Sequence, residues 1–154
     1  CHKSIILSDS NVHMYIRRVD TRKQDVQQSL WALQKRCLPF DEPMDTSYGY
    51  WWICFDVYDN KLGFAGLTRS VRWNDTGYLC RAGIVSSARG RGLQKKLIRV
   101  RIRQAKSLGW QWLITDTHEN PASSNSLISC GFKLFEPSVP WGDEKTLYWR
   151  MKID

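Results

Sequence analysis

The chain has 154 residues, 42% of them hydrophobic and 25% charged, the balance of one globular domain with a buried core. No apolar run approaches the ~18 residues of a membrane span, and the opening C-H-K-S-I-I-L-S-D is too short and polar for a signal peptide, so a soluble, cytoplasmic protein is expected. The net charge of +8 is unevenly placed, with eight basic residues and no acidic one between Ile84 and Thr115, which suits nucleic acid, an acidic membrane or a phosphorylated cofactor.

In chain order, Val12 to Val19 alternates as a first strand. Asp20 and Thr21 then offer cap chemistry for a helix to about Cys37, with Val26, Leu30, Leu33 and Cys37 on one stripe and a stop before Pro39. Tyr50 to Val57, Leu62 to Ser70 and Gly77 to Val85 read as three antiparallel strands separated by turn residues. Leu93 to Leu108 is a helix ended by Gly109, and Trp110 to Thr117 is the strand after it. Asn120 and Pro121 start a short helix that Gly131 closes, and Phe132 to Phe135 and Thr146 to Met151 are closing strands. The order β-α-β-β-β-α-β-α-β-β is that of a single mixed α/β domain.

The densest chemistry lies in S-S-A-R-G-R-G-L-Q-K-K, Ser86 to Lys96. A helix N-terminus carries about half a positive charge and unpaired N–H groups, so cations there cost roughly 0.3 to 1 kcal/mol each unless an anion binds. Arg89, Arg91, Lys95 and Lys96 all stand there, and Gly90 and Gly92 let the backbone approach an anion closely. Further along, Lys95, Lys96, Arg99, Arg103 and Lys106 form a solvated face, while Leu93, Leu97, Val100, Ile102, Ala105 and Leu108 form a buried one. Arg101 falls in the apolar arc and reads as a snorkelling or carboxylate-paired structural residue. Five scattered cysteines without a C-x-x-C pair point to neither a disulfide framework nor a zinc site, and no metal is expected.

Arg89-x-x-Gly92 at a strand-to-helix junction resembles the acyl-CoA pyrophosphate loop, Q/R-x-x-G-x-G/A, of the GNAT acyltransferase superfamily. Asn120 precedes Gly131-Phe132 by the spacing that family shows between its post-strand Asn and its terminal Gly-Phe. The resemblance covers about residues 12 to 151. It implies a twisted, splayed sheet of about seven strands flanked by helices, with acetyl-CoA lying between the strands that end near Val85 and Thr117. The implied cofactor contacts are the backbone of Ile84 and Val85 along the pantetheine and the N–H groups of Gly90, Arg91, Gly92, Leu93, Gln94 and Lys95 at the pyrophosphate. Arg89 and Arg91 would shape that loop, and Asn120, also the plain N-cap of its helix, would reach the pantetheine together with Ser123. Two positions depart from the family pattern: Gln94 stands where Gly or Ala is usual, and Leu127 where many members carry a Tyr that protonates the thiolate.

The implied activity is acyl transfer from acetyl-CoA to a primary amine. That needs a base for the ammonium, N–H groups on the thioester carbonyl (near Val85) and an acid for the leaving thiolate. The strand from Gly77 to Val85 has no acid, so Asp116, His118 and Glu119 are the base candidates, His118 best suited by its intrinsic pKa. Ser123, Ser124 and Tyr148 are the candidate acids. Most tryptophans, Trp51, Trp52, Trp110, Trp112 and Trp149, are expected in the core, whereas Trp73 and Trp141, with Asp41, Glu42 and Asp45, could frame a cationic or aromatic acceptor. The expected partners are acyl-CoA, an amine acceptor (small molecule, protein or nucleic-acid-linked) and a second copy as a homodimer, with no membrane. Two other readings stay open: a nucleic-acid-binding module that uses the basic helix, and an acyl-CoA-binding fold without turnover.

Overall fold

The computed structural model describes residues 4–9 and 12–153. Its elements are β1 (Ser4–Asp9), β2 (Val12–Val19), α1 (Gln24–Cys37), β3 (Tyr50–Asp56), β4 (Lys61–Arg69), β5 (Thr76–Ile84), α2 (Leu93–Ser107), β6 (Trp112–His118), α3 (Pro121–Ser129), β7 (Lys133–Phe135) and β8 (Thr146–Lys152). All strands join one eight-stranded sheet in the order β1-β2-β3-β4-β5-β6-β8-β7. The expected order thus holds, with one strand more: the opening S-I-I-L-S-D pairs antiparallel with β2. Read alone, that segment is a short apolar run, and only its partner makes it a strand. No helix among the described residues is long and apolar enough to cross a membrane.

Two element starts differ from expectation for local reasons. Asp20 does not cap α1; its carboxylate accepts from the Arg22 N–H and guanidinium, and the helix begins four residues later at Gln24. Strand β6 begins at Trp112 because α2 finishes in a Schellman closure, with Gly109 at φ 75°, its N–H on Lys106 O and the Trp110 N–H on Ala105 O. The buried face of α1 ends in Gln34, whose side chain bonds both the N–H (2.9 Å) and the C=O (3.1 Å) of Met44. That clasp holds the segment after α1 against the domain.

The core runs beneath β3, β4 and β5, where Trp51, Phe64, Leu67 and Leu97 are fully buried. Trp51 stacks on Phe64, and Trp52, Trp110 and Trp149 are also buried, whereas Trp112 is half-buried under the Arg150 guanidinium.

The sheet opens between β5 and β6. These parallel strands pair only over Thr76–Tyr78 and Trp112–Ile114, after which each continues without the other. A bulge accompanies the parting: Ala65 faces Ala82 but Leu67 faces Leu79, so β5 carries an extra residue across Cys80 and Arg81 and bends. Gly66 sits under this bulge, and a Cβ there would meet Cys80 Sγ at 2.6 Å and the Trp51 ring at 2.6 Å. Gly66→Ala is expected to destabilise the domain by about 2 kcal/mol through overpacking. Urea denaturation of the two proteins checks this, and equal midpoints would refute the tight packing.

Candidate functional site

After Ile84 the chain makes one 3-10 turn, Ser86–Ala88, and reaches α2 through Gly90 (φ 79°) and Gly92 (φ 75°). Both glycines are left-handed, a region other residues rarely adopt, and both face open space. Gly92 is the N-cap of α2 and offers no side-chain cap, and the first turn carries no acid. The first hydrogen bond of the helix is Lys96 N–H to Gly92 O, so the N–H groups ahead of it have no partner within the helix. Around them, Arg89 donates from Nε to Ile84 O (3.1 Å) and Arg91 from Nη2 to Ser87 O (3.4 Å), which fold both cations back over the loop.

Gln94, the departure from small residues at this position, turns its side chain across to α3 and donates to Ser123 Oγ at 2.8 Å. Asn120 caps α3, its Oδ1 accepting the Ser123 N–H at 3.1 Å, with Pro121 at the first position. The N-termini of α2 and α3 are therefore tied together beside the open part of the sheet.

A groove follows the parted strands. One part, about 310 Å³, is lined by the loop (Ala88, Arg89, Gly90, Leu93) and by Ile84 and Ala122. The other, about 390 Å³, enters between the strands and is lined by Tyr78, Cys80, Ile98, Arg101, Thr115, Asp116, His118 and Leu127. Leu38, Ala82, Gln94, Asn120 and Ser123 line both, so the two are continuous. The strand edge along it is that of Ile84. Val85, in contrast, donates its N–H to Leu62 O at 2.9 Å, and its side chain is buried. Of Ile84 and Val85, expected together along the pantetheine, Val85 is corrected: β4 holds its amide, and the alternate residues Ala82 and Ile84 line the groove.

Between the strands both signs meet. Asp116 Oδ2 accepts from Tyr78 Oη (2.6 Å) and Trp141 Nε1 (2.8 Å), and Asp41, Arg81 and Arg101 line the same space. Burial, then the neighbouring Asp116 charge, pushes the Tyr78 phenol well above its ordinary pKa. His118, whose side chain is 51% exposed, pairs through Nε2 with Asp143 Oδ2 at 3.0 Å. The Asp143 carboxyl is held below the usual range first by the Lys145 N–H and then by His118. Glu119, at φ 48°, turns its carboxylate outward to Lys145 (3.4 Å).

Other candidates separate here. Tyr148 is buried, T-stacked on Trp141 at 4.6 Å, and its hydroxyl accepts the Gly142 N–H; it does not line the groove and serves the loop before β8. Ser124 shares a hydrogen bond with Thr117, while Ser123, which accepts from Gln94, keeps its own hydroxyl proton uncommitted. Trp73 packs on Phe135 and Trp141 backs Asp116, so neither lines the groove; Glu42 gives only its carbonyl, to Arg81, and Asp45 closes its own turn on Ser47. Tyr78 and Asp143 were not anticipated, since they meet Asp116 and His118 only across strands or a loop.

The family model described as "Acetyltransferase (GNAT) family" matches residues 15–132. Among solved structures the chain is similar to the IAA acetyltransferase of Bacillus cereus (TM-score 0.69, 18% identity, covering 90% of this chain and 99% of that one). It is also similar to the yncA protein of Salmonella typhimurium with its cofactor acetyl-CoA (TM-score 0.67, 18% identity, 92% and 94% covered). A third similar structure is the ribosomal-protein-S18-alanine N-acetyltransferase of Escherichia coli (TM-score 0.70, 13% identity, 91% and 94% covered). No curated protein sequence gives a match.

Proposed function

The chain belongs to the acetyltransferase (GNAT) family, whose reaction is acyl transfer from acyl-CoA, and from that premise we propose that it acetylates a primary amine by direct transfer from acetyl-CoA. The observation that carries this reading is one continuous groove that joins Arg89 and the unpaired helix N–H groups at the loop to Asp41, Asp116 and His118 between the parted strands, where Arg81 and Arg101 also stand. An anionic donor would enter at the loop, and the ammonium of an acceptor would pair with the carboxylates between the strands.

The residues at the loop fit the donor. Gly90, Arg91, Gly92, Leu93, Gln94 and Lys95 present backbone N–H groups to a pyrophosphate, with Arg89 and Arg91 adding charge. The edge of β5 at Ala82 and Ile84, whose Ile84 carbonyl also accepts from Arg89, takes the pantetheine as an added strand, and Asn120 and Ser123 flank it. When bound, acetyl-CoA supplies the activated acyl carbon. Between the strands, Asp116 and Asp41 hold the ammonium. With Nε2–H donating to Asp143, His118 keeps its lone pair on Nδ1 and takes the proton that makes the amine a nucleophile. In place of the acid that Leu127 lacks, Ser123 donates a hydrogen bond to the departing thiolate, which takes its proton from water.

Titration calorimetry with acetyl-CoA is expected to show saturable binding, and mass spectrometry is expected to show a +42 Da product with at least one member of a panel of polyamines, amino acids and lysine- or N-terminal peptides. No heat at millimolar acetyl-CoA would sink the donor assignment. Binding without transfer to any amine would point to the fold without turnover.

A further inference from the structure

Arg101 is the unusual residue of the groove. It is 3% exposed, and its contacts are with backbone: Nε donates to Leu97 O at 3.1 Å and Nη1 to Gly66 O at 3.2 Å, directly under the β5 bulge. The carboxylate partner expected for a buried arginine is absent among the described residues. Its second terminal nitrogen, Nη2, makes no hydrogen bond, yet no side-chain nitrogen among the described residues is sealed off without a partner, so Nη2 reaches open space. The open space that Arg101 lines is the deep part of the groove, between Ile98, Leu127 and Thr115.

A guanidinium buried without a counter-ion is costly, and such sites persist where a ligand supplies the missing charge. Burial draws its pKa down to about 10, which still leaves it charged at neutral pH. The nearest groups that act on it electrostatically are the thiols of Cys80 and Cys130, which are no counter-ions at that pH. Asp41 and Asp116 line the same cavity, Asp116 accepting from Tyr78 and Trp141, and among the described residues neither forms an ion pair with Arg101.

Resting on the acyl-CoA reading above, we propose that Arg101 is the receptor for a substrate carboxylate at the groove floor, carried by the acyl group of a dicarboxylic acyl thioester such as succinyl-CoA. The donor is favoured over the acceptor as its carrier by placement. Arg101 stands on α2, two turns beyond the loop that meets the pyrophosphate, and at the bulge where the bent strand leads the acyl end inward.

The test is calorimetric binding of CoA, butyryl-CoA and succinyl-CoA to the wild type and to Arg101→Met and Arg101→Lys. Butyryl-CoA has the same carbon count without the charge. The wild type should bind succinyl-CoA about 10-fold more tightly than butyryl-CoA, the gain of one charge-assisted hydrogen bond. Arg101→Met should erase that ratio and leave CoA affinity within about twofold, whereas Arg101→Lys should keep part of it. If Arg101→Met fails to fold, the wild-type ratio decides. CoA binding with no preference for succinyl-CoA overturns this assignment alone, including the case in which only acidic acceptors depend on Arg101. Absence of CoA binding overturns the acyl-CoA reading and this assignment with it.

Discussion

Gly92→Asp should weaken acetyl-CoA binding by roughly 100-fold or more while the domain stays folded. The substituted position is the N-cap of α2 at φ 75°, and a Cβ there meets nothing within 4 Å. Aspartate is among the non-glycine residues that tolerate the left-handed region, and it is a preferred N-cap, so helix stability should change little. Its carboxylate would then stand where the N–H groups of the first turn converge. Against one phosphate charge at ~5 Å and an effective dielectric near ~20, the repulsion is about 3 kcal/mol, which is the expected loss. Calorimetry gives the affinity, and circular dichroism with a thermal melt checks the fold. A folded variant with affinity within about threefold of wild type would remove the loop from the donor site.

His118→Gln should lower kcat by about 100-fold and leave the dissociation constant for acetyl-CoA nearly unchanged. Glutamine can still donate to Asp143, so the loop between β7 and β8 keeps its anchor, but it has no lone pair basic enough to accept the ammonium proton. The wild type should show a rise of kcat/KM with pH that reflects both the base and the acceptor amine. Comparing the two proteins with one acceptor separates them, because only the limb due to the base disappears in the variant. If turnover falls less than about threefold and the limb persists, His118 is a strand-end residue, and water performs the deprotonation.

What could be read from the linear chain is what short-range chemistry determines. Arg89 to Lys96 announces an anion site because helix dipole, glycines and cations all lie within a few residues of one another. Asn120 with Pro121 announces a helix start for the same reason, and the glycine turn and both helix starts form as expected. The strand order follows from hydrophobic period and turn residues, which are also local. The misread features depend on partners far away in sequence. Helical periodicity places Arg101 on the buried face, but not that Gly66 and Leu97 carbonyls would replace a carboxylate. The Val85 amide faces β4 because of register, and register depends on a bulge that no single residue signals. Tyr148 alternates to the face that packs Trp141, while Tyr78, which carries no motif, meets Asp116 across the mouth of the groove. Asp20 is the converse case, a good local cap diverted by an even closer arginine.

The brief pairing of β5 with β6 also bears on how the chain assembles. Strands β1 to β5 are consecutive antiparallel neighbours, so most of that half can build by closing short loops. The second half, β6 with β8 and β7, must dock across the whole of α2 onto a seam with three backbone pairs, to which Tyr78 with Asp116 and Thr115 with Leu79 add side-chain bonds. Such a seam is the natural place for the native protein to open locally. The groove has one wall from each half, so a bound ligand spans the joint, and its binding free energy favours the docked arrangement. The substrate thereby acts as a fastener for the weakest line in the sheet, and an empty domain should breathe there first.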